Sequence, residues 1–173
     1  HRDIKPANIL IDRKNEPWIL DFGLALRDDQ VGFGKALVGT PVYMSPEQAR
    51  RQGHRIDGRS DIFSLGIIFY EMLCNRKPFL ADNLEDLIRQ IVETEPKPPR
   101  QRNETIPREL ERICLKALSK HAKDRYPNAS EMAYAVEPAS TGTASRPTPT
   151  MPSVKRRPAR SPAKGFSAFA ASS

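Results

Sequence analysis

His1-Arg2-Asp3-Ile4-Lys5-Pro6-Ala7-Asn8-Ile9-Leu10-Ile11, then Pro17-Trp18-Ile19-Leu20-Asp21-Phe22-Gly23, decide how this 173-residue chain is to be read. The two apolar runs, 9–11 and 17–20, are short and β-prone. The polar turn Arg13-Lys14-Asn15-Glu16 separates them. That spacing predicts a small hairpin. Downstream, residues 24–47 contain glycines together with Pro41 and Pro46 and show no period. They read as one long loop, a feature that in compact domains usually serves function.

Helical periodicity takes over after the loop. Residues 61–72 are apolar nearly all round, as expected of a central buried helix, with Ser60 as its N-cap. Leu84, Leu87, Ile88, Ile91 and Val92 mark a second helix, stopped by Pro96, Pro98 and Pro99. Leu110, Ile113, Leu115 and Leu118 mark another. A last begins at Ala129, with Asn128 or Ser130 near its cap, and stops at Pro138. The fold class expected is α+β, mainly helical with one small β-hairpin.

Residues 138–173 differ in kind. They hold six prolines, seven serines and four threonines, and their only charges are Arg146, Lys155, Arg156, Arg157, Arg160 and Lys164. Such a stretch cannot bury enough apolar area to offset its chain entropy and reads as a disordered basic tail. Removing those six charges from the total of 28 leaves 22 basic against 21 acidic residues. The net +7 therefore comes almost wholly from the tail, and a basic nucleic-acid surface over the whole domain is not expected. Lys155-Arg156-Arg157, with Arg160 and Lys164, is read as a solvated run, with contact to nucleic acid or an acidic membrane surface as the alternative. Cys74 and Cys114 lack CxxC spacing, so two buried, reduced thiols in a cytoplasmic protein are expected and zinc is not. His54 and His121 read as surface residues. The apolar run 62–73 is too short to span a bilayer.

His1-Arg2-Asp3 with Asn8, then Asp21-Phe22-Gly23, then Gly39-Thr40-Pro41 and Ser45-Pro46-Glu47, occur in this order on the hairpin-then-loop layout. The series resembles the protein-kinase signature set: catalytic loop, metal-binding motif and the end of the activation segment. Any one piece is weak; the ordered set is specific. It covers residues 1 to about 136. Lys5-Pro6 and Thr40 resemble the serine/threonine subgroup, and Gly39-Thr40-Pro41-Val42-Tyr43-Met44-Ser45-Pro46-Glu47-Gln48 is most similar to bacterial kinases of the eukaryotic type. The domain expected is a C-terminal kinase lobe over residues 1–137.

The resemblance implies a role for each matching residue. Asp3 orients the substrate hydroxyl and accepts its proton, Lys5 contacts the transferred phosphate, and Thr40 bonds near Asp3. Asn8 and Asp21, on the two sides of one hairpin, supply hard oxygen ligands to Mg2+, which bridges the phosphates of ATP. Leu10, with Ile9 and Ile11, forms the floor under adenine, and Ile68 and Met72 continue that apolar stack. Glu47 pairs with Arg125. Asp61 anchors the backbone of the catalytic loop. Gly32-Phe33-Gly34-Lys35 lacks the spacing of a phosphate loop and is not read as one.

The implied activity is transfer of the γ-phosphate of Mg-ATP to Ser or Thr hydroxyls of protein substrates. The glycine-rich loop, strand lysine and helix glutamate of the N-terminal lobe do not occur in this sequence. The chain alone is therefore expected to bind ATP poorly, to need that lobe in cis, and to aggregate through its exposed lobe-facing surface. The alternative is a non-catalytic kinase lobe that acts as a binding module. Arg2 before Asp3 usually accompanies a phosphorylated activation loop, yet residues 24–39 hold no Ser, Thr or Tyr. Asp28 or Asp29 is the expected fixed negative charge for Arg2.

Overall fold

A computed structural model describes residues 1–21 and 41–141, with side chains as far as Glu137. Strands β1 (Ile9–Ile11) and β2 (Pro17–Ile19) pair antiparallel, Leu10 opposite Trp18. Asp12 makes the turn: its Oδ1 accepts from the amides of Lys14 (2.8 Å) and Glu16 (2.9 Å). Asn15 takes the left-handed conformation (φ 63°) that its short polar side chain tolerates. The expected hairpin is therefore present, closed by an Asx-type turn.

Among the described residues five α-helices follow: α1 (Pro46–Ala49), α2 (Gly58–Cys74), α3 (Leu84–Glu93), α4 (Arg108–Ala117) and α5 (Ala129–Thr141). Helix α2 is the spine. Phe63, Ile67 and Tyr70 pack with Phe79, Leu87, Ile91, Cys114 and Leu118 in one cluster. Ile62 packs with Ile113, Ala117, Tyr126 and Met132 in a second. Gly66 is where α2 and α4 approach most closely. A Cβ there would meet the Ala117 Cβ at 3.0 Å and Leu118 at 3.2 Å, so any larger residue would push the two helices apart by a few tenths of an ångström.

Four expectations need correction. Helix α2 begins at Gly58, not after Ser60; its cap is Asp57, whose side chain accepts from the Arg59 amide. Ser60 is instead buried and donates its hydroxyl to Glu47. Met72, expected to continue the apolar stack from Leu10, is 76% exposed, so no side chain of the described residues covers it there. Cys74 is only half-buried, whereas Cys114 is buried. Helix α5 does not stop at Pro138 but continues to Thr141. Proline removes one amide from a helix, and a last turn tolerates that loss better than an interior one. His54 and His121 are exposed. No helix among the described residues is long and apolar enough to cross a membrane.

Candidate active site

Asp3, Lys5 and Asn8 meet at one carboxylate oxygen. Lys5 Nζ lies 2.7 Å from Asp3 Oδ2, and Asn8 Nδ2 donates to the same oxygen at 2.9 Å. Asn8 Nδ2 also donates to the Asp3 carbonyl (2.9 Å). Among the described residues Asp3 Oδ1 accepts no hydrogen bond, so one oxygen of the carboxylate is held and the other is not. The tight 6–8 turn, opened by Pro6, folds Asn8 back on Asp3, and the Asn8 amide donates to the Lys5 carbonyl (2.9 Å).

The hairpin brings the other side of the site close. The Leu20 amide donates to the Asn8 carbonyl (2.8 Å), and the Leu20 carbonyl accepts from His1 Nε2 (2.8 Å). Asp21 follows directly, exposed and left-handed (φ 61°). For a non-glycine residue that conformation is uncommon and concentrates at functional sites. The donor chemistry fits a hard cation. Asn8 commits its amide nitrogen to Asp3, which leaves its amide oxygen, and Asp21 contributes carboxylate oxygens.

Asp3 is held in place through its neighbour Arg2, which is also left-handed (φ 70°). Asp61, in the first turns of α2, accepts from the backbone nitrogens of His1 and Arg2, each at 2.8 Å. Gln48 Nε2 donates to the Arg2 carbonyl at 2.7 Å. The Arg2 residue is thus gripped on both sides, which offsets the cost of its strained conformation. The Asp61 anchor was expected; the Gln48 grip was not. Its signal was present as the capping box Ser45-x-x-Gln48, in which Ser45 and Gln48 bond reciprocally and fix the glutamine's orientation.

Glu47 and Arg125 form the expected pair, with Arg125 NH1 and NH2 2.8 and 3.0 Å from the two Glu47 oxygens. Burial pushes the Glu47 carboxyl up, but the Arg125 guanidinium and the Ser60 hydroxyl more than offset that, and its pKa lies below the usual 4.5. A carboxyl lowered by folding stabilises the native state above its unfolded pKa, and the gain is lost as pH falls through the folded value. Urea midpoints should therefore show wild type well above Glu47→Gln at neutral pH. That margin should shrink below 4.5. A margin independent of pH would remove the charged pair as its source.

Leu10 is 55% exposed on β1, and strand alternation puts it on the opposite face from Ile9 and Ile11. Val42, Tyr43 and Met44, just before α1, are pinned to α2. Ser64 Oγ donates to the Tyr43 carbonyl (2.7 Å) and the Tyr43 hydroxyl donates to Glu71 (3.0 Å). Burial, with Glu71 beside it, pushes the Tyr43 hydroxyl up to about 12. Thr40, Phe22, Gly23, Asp28, Asp29 and residues 32–35 lie outside the described residues, as do 142–173.

The chain matches the protein kinase domain over residues 1–135. It belongs to the protein kinase family. Curated relatives include the serine/threonine-protein kinase PknB of Mycobacterium leprae, 44% identical over 135 residues, and PknB of Mycolicibacterium smegmatis, 43% identical over 136. Each alignment covers 76% of this chain and 21% of the relative. A protein named tyrosine-protein kinase MasK, from Myxococcus xanthus, is 40% identical over 139 residues, 79% of this chain and 21% of its own length. This kinase chain thus spans about a fifth of the length of these curated relatives. Use of ATP and Mg2+ is general to the family.

Proposed function

We propose that this chain is the C-terminal lobe of a serine/threonine protein kinase, and that the polypeptide containing it moves the γ-phosphate of Mg-ATP to Ser or Thr of protein substrates. The observation that carries the reading is the half-held Asp3 carboxylate. Lys5 and Asn8 fix Oδ2, and Oδ1 is left to orient a hydroxyl and take its proton. Lys5 then stands within reach of the phosphate being transferred. Asn8 and Asp21 hold Mg2+, which neutralises charge on the phosphates. Leu10 offers an exposed apolar surface to the adenine ring, and Thr40 bonds near Asp3. Residues 1–137 form the lobe and 138–173 a basic tail.

Serine or threonine as acceptor is supported by Lys5-Pro6 and by the PknB relatives. The test incubates the longest natural polypeptide containing residues 1–173 with radiolabelled ATP, Mg2+ and a protein substrate, and follows it with phosphoamino-acid analysis. Label on serine or threonine is expected. Label on tyrosine alone would overturn the acceptor assignment, and no transfer would overturn the activity.

A further inference from the structure

Beside α1 and the start of α2, and not lined by Asp3, lies a concavity of about 420 Å³. It is lined by Glu47 and by side chains between Arg50 and Arg59 on one side and by residues 120–123 on the other. Its charge is lopsided in a specific way. Two carboxylates line it, Glu47 and Asp57, and both are already spent. Glu47 is bonded to Arg125 and Ser60. Asp57 is bonded by the guanidinium and the backbone amide of Arg59.

The cations are not spent. Among the described residues the Arg55 and Lys123 side chains face no carboxylate at ion-pair distance and make no hydrogen bond. Arg50 makes only a 3.4 Å contact to the Val92 carbonyl. Lys120 is turned inward, its Nζ donating to the carbonyls of Gln90 (3.2 Å) and Ile91 (2.8 Å), and serves the core rather than the cavity. Two arginines and one lysine therefore line a concave surface whose two carboxylates are already bonded to other cations.

The geometry points to a docking site for a phosphorylated serine or threonine side chain of a protein, held by Arg50, Arg55 and Lys123. A phosphomonoester brings nearly two negative charges and three strong acceptors, which matches two planar guanidinium forks and an ammonium. The shape favours this occupant over nucleic acid. The cations line one cavity rather than a run along the surface, and apart from the imidazoles of His54 and His121 no aromatic ring lines it for base stacking. Helix α1 joins the cavity to residues 42–44, so a protein phosphorylated once would be held beside the segment that precedes α1. The choice of a phosphorylated occupant rests on the kinase reading above.

The test measures binding without ATP, so it stands whether or not phosphoryl transfer is detected. A fluorescent phosphoserine peptide, the same peptide unphosphorylated and a single-stranded oligonucleotide are titrated against the chain and against Arg55→Glu with Lys123→Glu. Neither side chain has a partner among the described residues, so the double variant should keep the wild-type thermal midpoint. The phosphopeptide should bind more tightly than its unphosphorylated form, and the double variant should weaken it by about tenfold or more. Arg55→Lys should retain most of the binding. Equal binding of the two peptides, an unaffected double variant, or an oligonucleotide that binds better through the same residues would each overturn the proposal.

Discussion

Arg125→Ala should lower the stability of this domain by about 3–5 kcal/mol, the range for stranding one member of a buried ion pair. Arg125 uses all five of its N–H donors. Nε donates to the Ser119 carbonyl (2.7 Å), NH1 to Glu47 and the Arg59 carbonyl (2.9 Å), and NH2 to Glu47 and the Lys120 carbonyl (3.1 Å). Its guanidinium also lies 4.8 Å from the centre of the Phe63 ring. The side chain is fully buried and Glu47 nearly so. Alanine would leave a carboxylate and three carbonyls facing a void. Arg125→Lys should fall only a little short of that cost, since an ammonium has three donors and no fork. Paired replacement, Arg125→Met with Glu47→Leu, should recover part of the loss because no charge is then stranded. Urea denaturation of the set decides it. A single variant within about 1 kcal/mol of wild type would mean that the pair contributes only what an exposed one does.

Asp3→Asn should reduce phosphoryl transfer by about 10²–10⁴-fold, the usual contribution of a positioned general base. Asparagine matches the shape, and Asn8 keeps its bond to the residue 3 carbonyl, so the loop should stay folded. The amide cannot take a proton from a hydroxyl, and Lys5 loses its charged partner. The loss should fall on kcat, with the KM for ATP little changed. Steady-state rates with the longest natural polypeptide provide the check. An unimpaired rate would strip Asp3 of its role.

Much of this arrangement is legible in the sequence, for identifiable reasons. The hairpin shows because two β-prone runs flank a polar turn. The pairing of Glu47 with Arg125 and the anchoring by Asp61 follow from the ordered motifs, since these residues occupy fixed places relative to Asp3. What is hidden depends on tertiary context. Helix α2 begins with Gly58, a poor helix former, so the apolar period starts later than the backbone helix does. Met72 is apolar yet exposed, because periodicity reports a residue's character and not whether a partner covers it. Gln48 looks like an ordinary capping-box residue; only the folded chain brings its side chain to Arg2, 46 positions away in sequence.

That grip has an evolutionary consequence. Among the described residues, the side chains that hold the peptide ahead of Asp3 come from α1 and α2. Change at position 48 or 61 would reach Asp3 through the backbone of Arg2, so under the proposed function those two positions in α1 and α2 are constrained together with the residue proposed as the base.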